Sequence, residues 1–394
     1  MTSSSPPLAL IDTMEHINTL DVSQYSIDAQ KTVTFLKCYT GSKGTFNSYR
    51  RDIERLLHWC ELNSKTLPDL KQAEIESFIK FCQNPPLKWI GMKKAPRFAL
   101  KEGNRVPNSE WRPFVVTISK AAHKKGHKLD PKDFELSHGA VKEIFASLSS
   151  FFNYLLQEEY LTMNPVALIR QKSKFIRTQQ GPNKIRRISE LQWQYVIRTA
   201  REMNNRTLFI MSALYSMYLR ISELAASERW LPQMNDFQRD NDGNWWFTTV
   251  GKGNKQRQIA VSDTMLAALK HWREYLNLSS LPSSADTSPL LPKTKGKGPI
   301  TSTTYIRKIV QQCFDNSIDK LKQDNFHDEA EFLVDATVHW LRHTGISDDI
   351  KHRPREHVRD DAGHSSSAIT DKYIDIELRE RHRTAKGKII IDED

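Results

Sequence analysis

Apolar positions recur at helical spacing along much of the first half of the chain. In TFNSYRRDIERLLHWCELN (45–63), Tyr49, Ile53, Leu56, Leu57 and Cys60 fall every three or four residues, which predicts an amphipathic helix. KQAEIESFIKFC (71–82) and PFVVTISKAAHKK (113–125) predict a second and a third helix. In SHGAVKEIFASLSSFFNYLLQEE (137–159), Val141, Ile144, Phe145, Leu148, Phe152 and Leu155 form one stripe, with Ser137 placed to cap it. Between the second and third helices, residues 84–112 carry Pro85, Pro86, Pro96 and Pro107 with Pro113 just beyond, which predicts a long loop with several basic residues. Residues 31–168 therefore read as a small all-helical domain whose apolar stripes are core.

The texture changes after residue 187. ISELQWQYVIRTAREM (188–203) and TLFIMSALYSMYLRISELAAS (207–227) read as helices. WWFTTV (245–250) and RQIAVS (257–262) read as strands, preceded by an Asp-Gly turn at 242–243 and joined by GKGNKQ. DTMLAALKHWREYLN is another helix, residues 278–300 a Ser-, Pro- and Gly-rich loop, and helices resume from about 303 to 373. This is mainly α structure with a small β-sheet: a helical domain followed by a mixed α/β domain. There is no internal repeat.

Composition narrows the class. A chain of 394 residues can hold two or three cores. Its 38% apolar and 27% charged residues are ordinary for a globular protein, and no apolar run approaches the roughly 18 residues of a membrane span. The N-terminus has no basic region ahead of its short apolar patch, so it does not read as a signal peptide. Cys38, Cys60, Cys82 and Cys313 form no CxxC pair, which disfavours a zinc site or a disulfide framework; a reducing cytoplasm is the default compartment.

The net charge of +11 points to a polyanionic partner. Residues 1–30 hold no Lys or Arg but four acids, Asp12, Glu15, Asp21 and Asp28, so the whole positive excess lies downstream. It peaks in RQKSKFIRTQQGPNKIRR (170–187), where Lys172, Lys174, Arg177, Lys184, Arg186 and Arg187 stand with Arg170 and no acid. Its Gly-Pro and lack of helical period mark 169–187 as a basic linker suited to a phosphate backbone, or simply a soluble one. Arg50 and Arg51 on the first long helix and Lys255 in the hairpin turn are further candidate DNA contacts.

Five short stretches carry candidate chemistry, and each also has a plain structural reading. Arg220 in LYSMYLRISEL can pair with Glu223, three residues on, as a salt bridge at the edge of the core. Lys252 sits between Gly251 and Gly253 at the hairpin turn, where a solvated lysine is the ordinary case; no phosphate-cradling GxxxxGK[ST] surrounds it. In HWLRHTG (339–345), His339 and Arg342 share a helix face; His339 and His343 have metal-ligand spacing, but no HExxH glutamate or third ligand accompanies them. His364 follows a glycine in DDAGHSSSAIT, and Tyr373 follows nine residues later, where a packing tyrosine with a wet hydroxyl is the usual occupant.

Taken in order, LRISEL, GKGNKQR, HWLRHT and GHSSSAIT followed by Tyr resemble the tyrosine recombinase (phage integrase) family. TFNSYRRDIERLLHWC and LSSFFNYLLQEEYLTMNPV resemble the first and last helical segments of that family's core-binding domain, so the resemblance covers about residues 31–380. It implies a C-shaped DNA clamp and a site-specific recombinase that needs no cofactor, metal or ATP. Tyr373 would attack a phosphodiester to give a 3′-phosphotyrosine and a free 5′-hydroxyl. Arg220, Arg342 and His364 would stabilise the charge developing on the non-bridging oxygens, Lys252 would protonate the leaving oxygen, and His339 would assist proton transfer. Glu223 and His343 would support these residues from behind. One stretch departs from the family habit: HVRDDAGH places Asp360 and Asp361 where an apolar helix end is usual, so the seating of His364 is the open point.

The organisation expected is an acidic segment (1–30), a helical core-binding domain (31–168), the linker (169–187), a catalytic domain (188–380) and a tail (381–394). Within that tail, Ile389–Ile391 would dock on a neighbouring protomer. The implied partners are double-stranded DNA, three further copies in a homotetramer on two DNA sites, and a candidate accessory DNA-bending protein; no membrane is involved, and the protein would work in the cytoplasm at the nucleoid. Only about 30 residues precede the first core-binding helix and none is basic, so no arm-binding domain is expected, and a mobile-element integrase is the favoured role. Two alternatives stay open: a type IB topoisomerase, which uses a similar residue set, and a catalytically silent, sequence-specific DNA-binding protein.

Overall fold

The computed structural model describes residues 6–124, 126–169, 174–175, 186–251, 253–366 and 369–370. The chain divides into two compact units, Met1–Pro182 and Asn183–Asp394. No helix among the described residues is long and apolar enough to cross a membrane.

The first unit is built on α1 (Ile27–Lys37), α2 (Lys43–Leu62), α3 (Gln72–Gln83) and α5 (His138–Gln157), with a short α4 (Lys120–Lys124) between. Ser137 caps α5, its hydroxyl accepting from the Ala140 N–H at 3.2 Å. Phe35, Phe46, Ile53, Leu56, Phe78, Ile144, Phe151 and Phe152 from the four long helices are fully buried together. The unit is not wholly helical. Strands β1 (Ile90–Gly91) and β4 (Phe114–Val115) pair in parallel, and β2 (Phe98–Lys101) and β3 (Asn104–Pro107) form a hairpin within the stretch expected to be a loop. Glu102 and Gly103 close that hairpin with φ of +51° and +81°. Its strands are four residues long and largely exposed, so they carry no alternating apolar signal. The helix expected over 113–125 is confined to α4; the β-branched run Val115–Val116–Thr117 favours extended backbone.

The acidic N-terminal residues belong to this unit's core. Ile11 and Ile17 are fully buried, and Glu54 of α2 accepts from the N–H groups of Leu10 and Ile11 at 2.6 and 3.2 Å. Asp12 takes both ends of the Arg105 guanidinium at 2.7 Å. Asp28 accepts from Tyr160 at 2.6 Å and the Leu67 N–H at 2.8 Å. These acids serve as counter-charges and acceptors for the fold.

The second unit contains α6 (Glu190–Met203), α7 (Asn205–Ser216), α8 (Ile221–Leu224), α9 (Asp263–Tyr275), α10 (Thr303–Gln323), α11 (His327–Leu333), α12 (Val338–Asp349) and α13 (Arg355–Ala362). A three-stranded antiparallel sheet runs β5 (Phe237–Arg239), β6 (Trp245–Val250), β7 (Gln256–Ala260). The Asp-Gly turn joins β5 to β6, and Phe247 pairs with Ile259 on the buried face. Helix α7 is almost wholly buried, with α6, α9, α10 and α12 packed around it. Helices α7 and α12 approach closely where Gly345 lies against the backbone carbonyl of Tyr215.

Candidate active site

The helix expected over 207–227 is broken. Helix α7 stops at Ser216, Tyr218 turns into the left-handed region at φ +50°, and α8 begins at Ile221 with Arg220 as its N-cap. A left-handed conformation costs a tyrosine roughly 1–2 kcal/mol. It is held there by its buried hydroxyl, which donates to Asp349 and accepts from Arg353 Nη1 at 3.0 Å. In Arg-Ile-Ser-Glu the glutamate then reaches back over the turn, as in one half of a capping box: the Arg220 N–H donates to Glu223 Oε2 at 2.8 Å, and Arg220 Nη1 to Oε1 at 3.1 Å. Glu223 is only 1% exposed at its side chain, whereas that of Arg220 is 31% exposed. The cap thus leaves one guanidinium facing solvent on a rigid mount.

Arg342 joins two backbone turns. Its Nη1 donates to the Tyr218 carbonyl and its Nη2 to the Ala362 carbonyl at 2.5 Å, and the residue is 2% exposed. The first carbonyl lies two residues before Arg220 and the second two residues before His364. Helix α12 therefore fixes the Arg220 turn and the His364 turn against each other. His364 follows Gly363, whose φ of +62° ends α13 in a left-handed turn closed by Gly363 N–H to Asp360 O (2.9 Å) and His364 N–H to Arg359 O (3.1 Å). The His364 Nδ1 lies 2.9 Å from the Thr370 hydroxyl.

The charged segment before His364 is seated by pairing. Arg353 Nη2 meets Asp361 Oδ2 at 2.5 Å, and Asp361 Oδ1 accepts from the Ala260 N–H of β7 at 3.3 Å. Asp361 is buried, while Asp360 is exposed and meets Arg359. An ion pair here replaces the apolar helix end that the family habit calls for.

The hairpin between β6 and β7 ends against the same cluster. Gly253 and Asn254 supply positive φ (+77° and +60°), and the Gly251 N–H donates to the Lys255 carbonyl at 2.8 Å. A Cβ on Gly251 would stand 2.9 Å from Arg257 Nη1, 3.3 Å from Glu223 Oε1 and 3.4 Å from Arg220 Nη1. Glycine is needed there for close approach. Lys252, one residue on, lies outside the described residues, as does Tyr373.

The cations set the local electrostatics. Burial and then Arg342, Arg220 and Arg257 push the His364 imidazole down to about 4. Burial, then His339, Arg342, His364 and Arg186, push His343 down to about 4. His339, though its residue surface is exposed, is held below the ordinary imidazole value by desolvation and by Arg342, Arg220 and Arg186. The rings of His339 and His343 meet edge to face, 4.2 Å between centroids. All three histidines are thus neutral near pH 7. Glu223 is pulled the other way. Burial would raise its carboxyl, but the hydrogen bonds and charges of Arg257 and Arg220 outweigh it and hold the group ionised, below the usual range.

The expected DNA contacts divide. Arg50 is buried: its Nη1 donates to Asp12 O at 2.5 Å, its Nη2 to Asn47 at 2.8 Å, and it lies over the Phe46 ring. It is a fold residue, which corrects the expectation that it faces DNA. Arg51 is matched by Asp52 and Glu143, and Lys174 by Glu76 at 2.5 Å. Beside Lys174, Phe175 is buried in the first unit's core, so part of the expected linker is anchored. Arg186 is exposed near His339, and Lys255 is exposed in the hairpin turn. Lys172, Arg177 and Lys184, like the tail 381–394, lie outside the described residues. Sequence reasoning assigned no part to Arg257, Tyr218, Arg353, Asp361 or Thr370. Only Arg257 had a local signal, as the last residue of GKGNKQR.

Residues 186–379 match the phage integrase family model. The tyrosine recombinase XerC of Xanthomonas axonopodis pv. citri (strain 306) is 24% identical over 343 residues, 86% of this chain and 88% of the relative. Two solved structures share the fold. One is the XerH site-specific recombinase bound to a palindromic difH substrate in a post-cleavage complex, with a TM-score of 0.54, 14% identity and coverage of 97% of this chain and 99% of that one. The other is a lambda integrase dimer bound to a COC′ core site, with a TM-score of 0.51, 15% identity and coverage of 92% and 79%. With the described box residues Arg220, Arg342 and His364 lying together inside the matched segment, residues 186–379 form a phage integrase family domain of the tyrosine recombinase type.

Proposed function

We propose that this strand-transferring enzyme is a site-specific recombinase that cuts and rejoins duplex DNA through Tyr373, without metal or ATP. The observation that carries the reading is the Arg342 bridge: one buried guanidinium ties the Arg220 turn to the His364 turn. The partly exposed Arg220 and a neutral histidine, held against each other by the buried Arg342, suit a phosphate whose non-bridging oxygens gain charge in the transition state. In the tautomer in which the Thr370 hydroxyl donates to Nδ1, the neutral His364 ring carries its proton on Nε2, the form that donates to an oxyanion.

The Tyr373 hydroxyl attacks phosphorus, and neutral His339 accepts its proton. The bond from phosphorus to the 5′-oxygen breaks, and Lys252 protonates that oxygen as it leaves. The product is a 3′-phosphotyrosyl enzyme and a 5′-hydroxyl. The phosphotyrosyl bond retains the energy of the broken one, so attack by a 5′-hydroxyl of a second duplex reseals the strand with no other energy source. Four copies on two duplexes carry out the exchange, the linker 169–187 and the exposed Arg186 and Lys255 meeting the DNA backbone. The biological role is movement of a DNA element; the exposed Lys88, Lys94 and Lys101 within 84–112 support it by adding positive surface to the first unit.

The test uses nicked duplexes taken from the DNA flanking the protein's own gene. Covalent adducts at one position and exchange between two duplexes are expected. Relaxation of supercoiled DNA irrespective of sequence would instead make the enzyme a topoisomerase.

A further inference from the structure

Arg257 lies on β7, opposite Thr249 of β6, and its side chain is 9% exposed. Its guanidinium grips both oxygens of Glu223, Nη1 to Oε1 at 2.7 Å and Nη2 to Oε2 at 2.8 Å. This fork-to-carboxylate geometry is the strongest side-chain pairing available to an arginine. Its Nε donates to the Asp361 carbonyl at 2.9 Å. The same side chain lies against the glycines that precede two candidate catalytic residues: a Cβ on Gly251 would meet its Nη1 at 2.9 Å, and one on Gly363 would meet its Cδ at 2.8 Å. One side chain therefore contacts the support of Arg220, the residue before Lys252 and the residue before His364.

Glu223 has two oxygens and two arginines to serve. Oε1 accepts from both Arg220 and Arg257; Oε2 accepts from Arg257 and from the Arg220 N–H. Without Arg257 the carboxylate would be buried with a single, partly exposed cation. It would rotate toward Arg220, take more of that guanidinium's donors, and compete with a phosphate for them. We propose that Arg257 is a positioning residue: by occupying Glu223 it holds Arg220 oriented, yet available, for the scissile phosphate. The proposal rests on the recombinase reading above.

Two substrates and one structure test it. In a methylphosphonate linkage one non-bridging oxygen is replaced by methyl, so less charge awaits a guanidinium. Arg257→Gln should cleave an ordinary nicked duplex at least about 10-fold more slowly than wild type, with DNA affinity within about 2-fold. The deficit should shrink on the methylphosphonate, and Arg257→Lys should fall between the two. A crystal structure of Arg257→Gln should show the Glu223 carboxylate turned further onto Arg220. Wild-type cleavage by Arg257→Gln, or an equal deficit on both substrates with Glu223 and Arg220 unmoved, would overturn the proposal. If Arg257→Gln does not fold, the same comparison is made with Arg257→Lys. If the wild type itself forms no adduct, the recombinase reading fails, and the variant's structure still decides whether Arg257 holds Glu223 in place.

Discussion

Gly345 to alanine is a substitution whose sign differs between helix propensity and packing. In the interior of an ordinary helix, alanine is preferred to glycine by about 1 kcal/mol. In α12 the added Cβ would stand 2.0 Å from the Tyr215 carbonyl oxygen, 3.0 Å from its carbon and 3.2 Å from Tyr218 Cδ1. A carbon and a carbonyl oxygen meet comfortably at about 3.3 Å, so the helices must part by about 1 Å. The obstacle is the backbone of α7, buried among four helices, and it cannot swing aside. Overpacking of this kind costs about 1–3 kcal/mol, and an obstacle made of backbone puts this site at the upper end. Against the propensity gain the net loss is about 2 kcal/mol, a fall in Tm of about 4–8 °C for a unit of this size. Arg342 lies three residues away on the same helix and reaches Tyr218 O across the same contact. A displacement of about 1 Å there should lower strand cleavage about 100-fold. Scanning calorimetry and adduct formation on a nicked duplex measure both. A Gly345→Ala protein that melts at or above the wild-type temperature would refute the packing argument.

Three further outcomes are expected. His58 is 3% exposed, neither ring nitrogen has a hydrogen-bond partner among the described residues, and burial pushes its pKa down to about 4. Between about pH 6.5 and 4 the unfolded chain binds a proton there that the folded chain refuses, so stability is full above pH 6.5 and falls by up to about 3 kcal/mol toward pH 4; thermal melts of His58→Gln should lose that part of the acid dependence. Arg342→Lys cannot span the Tyr218 and Ala362 carbonyls with a planar fork, and cleavage should drop on the order of 100-fold in single-turnover assays with DNA binding little changed. If neutral His339 accepts the tyrosine proton, the acid limb of the cleavage rate lies below the ordinary imidazole value of about 6.5, because its pKa is held down; a rate already falling above pH 7 would exclude that role.

The long helices and the β6–β7 hairpin were legible because their periods extend over many residues, and Ser137 marked the start of α5 by its type and place. The break after Ser216 was not. It depends on Tyr218 entering the left-handed region, sustained by Asp349 and Arg353, which are more than 130 residues away in the chain. The β2–β3 hairpin was hidden because two short, exposed strands need no alternating pattern. For the site, Arg220, His339, Arg342 and His364 were singled out through the ordered resemblance, since each alone also has a plain structural reading; the structure adds that Arg342 ties the Arg220 turn to the His364 turn. The support was not readable: Arg257 looks like any solvent-facing strand residue until Glu223 and the Asp361 carbonyl are placed beside it. Arg50 shows the reverse error, since a basic residue on an amphipathic helix reads as surface until Asp12 is folded over it.

The central claim is that Tyr373 is the nucleophile of a strand transfer assisted by the Arg220–Arg342–His364 cluster. It is tested most directly by incubating wild type and Tyr373→Phe with nicked duplexes that trap the cleaved state, then separating the products on a denaturing gel. A protein–DNA adduct formed by the wild type alone, with the DNA 3′-phosphate recovered on the peptide containing Tyr373, is the expected result. An adduct of equal yield from Tyr373→Phe, or specific DNA binding by both proteins with no adduct from either, would contradict it.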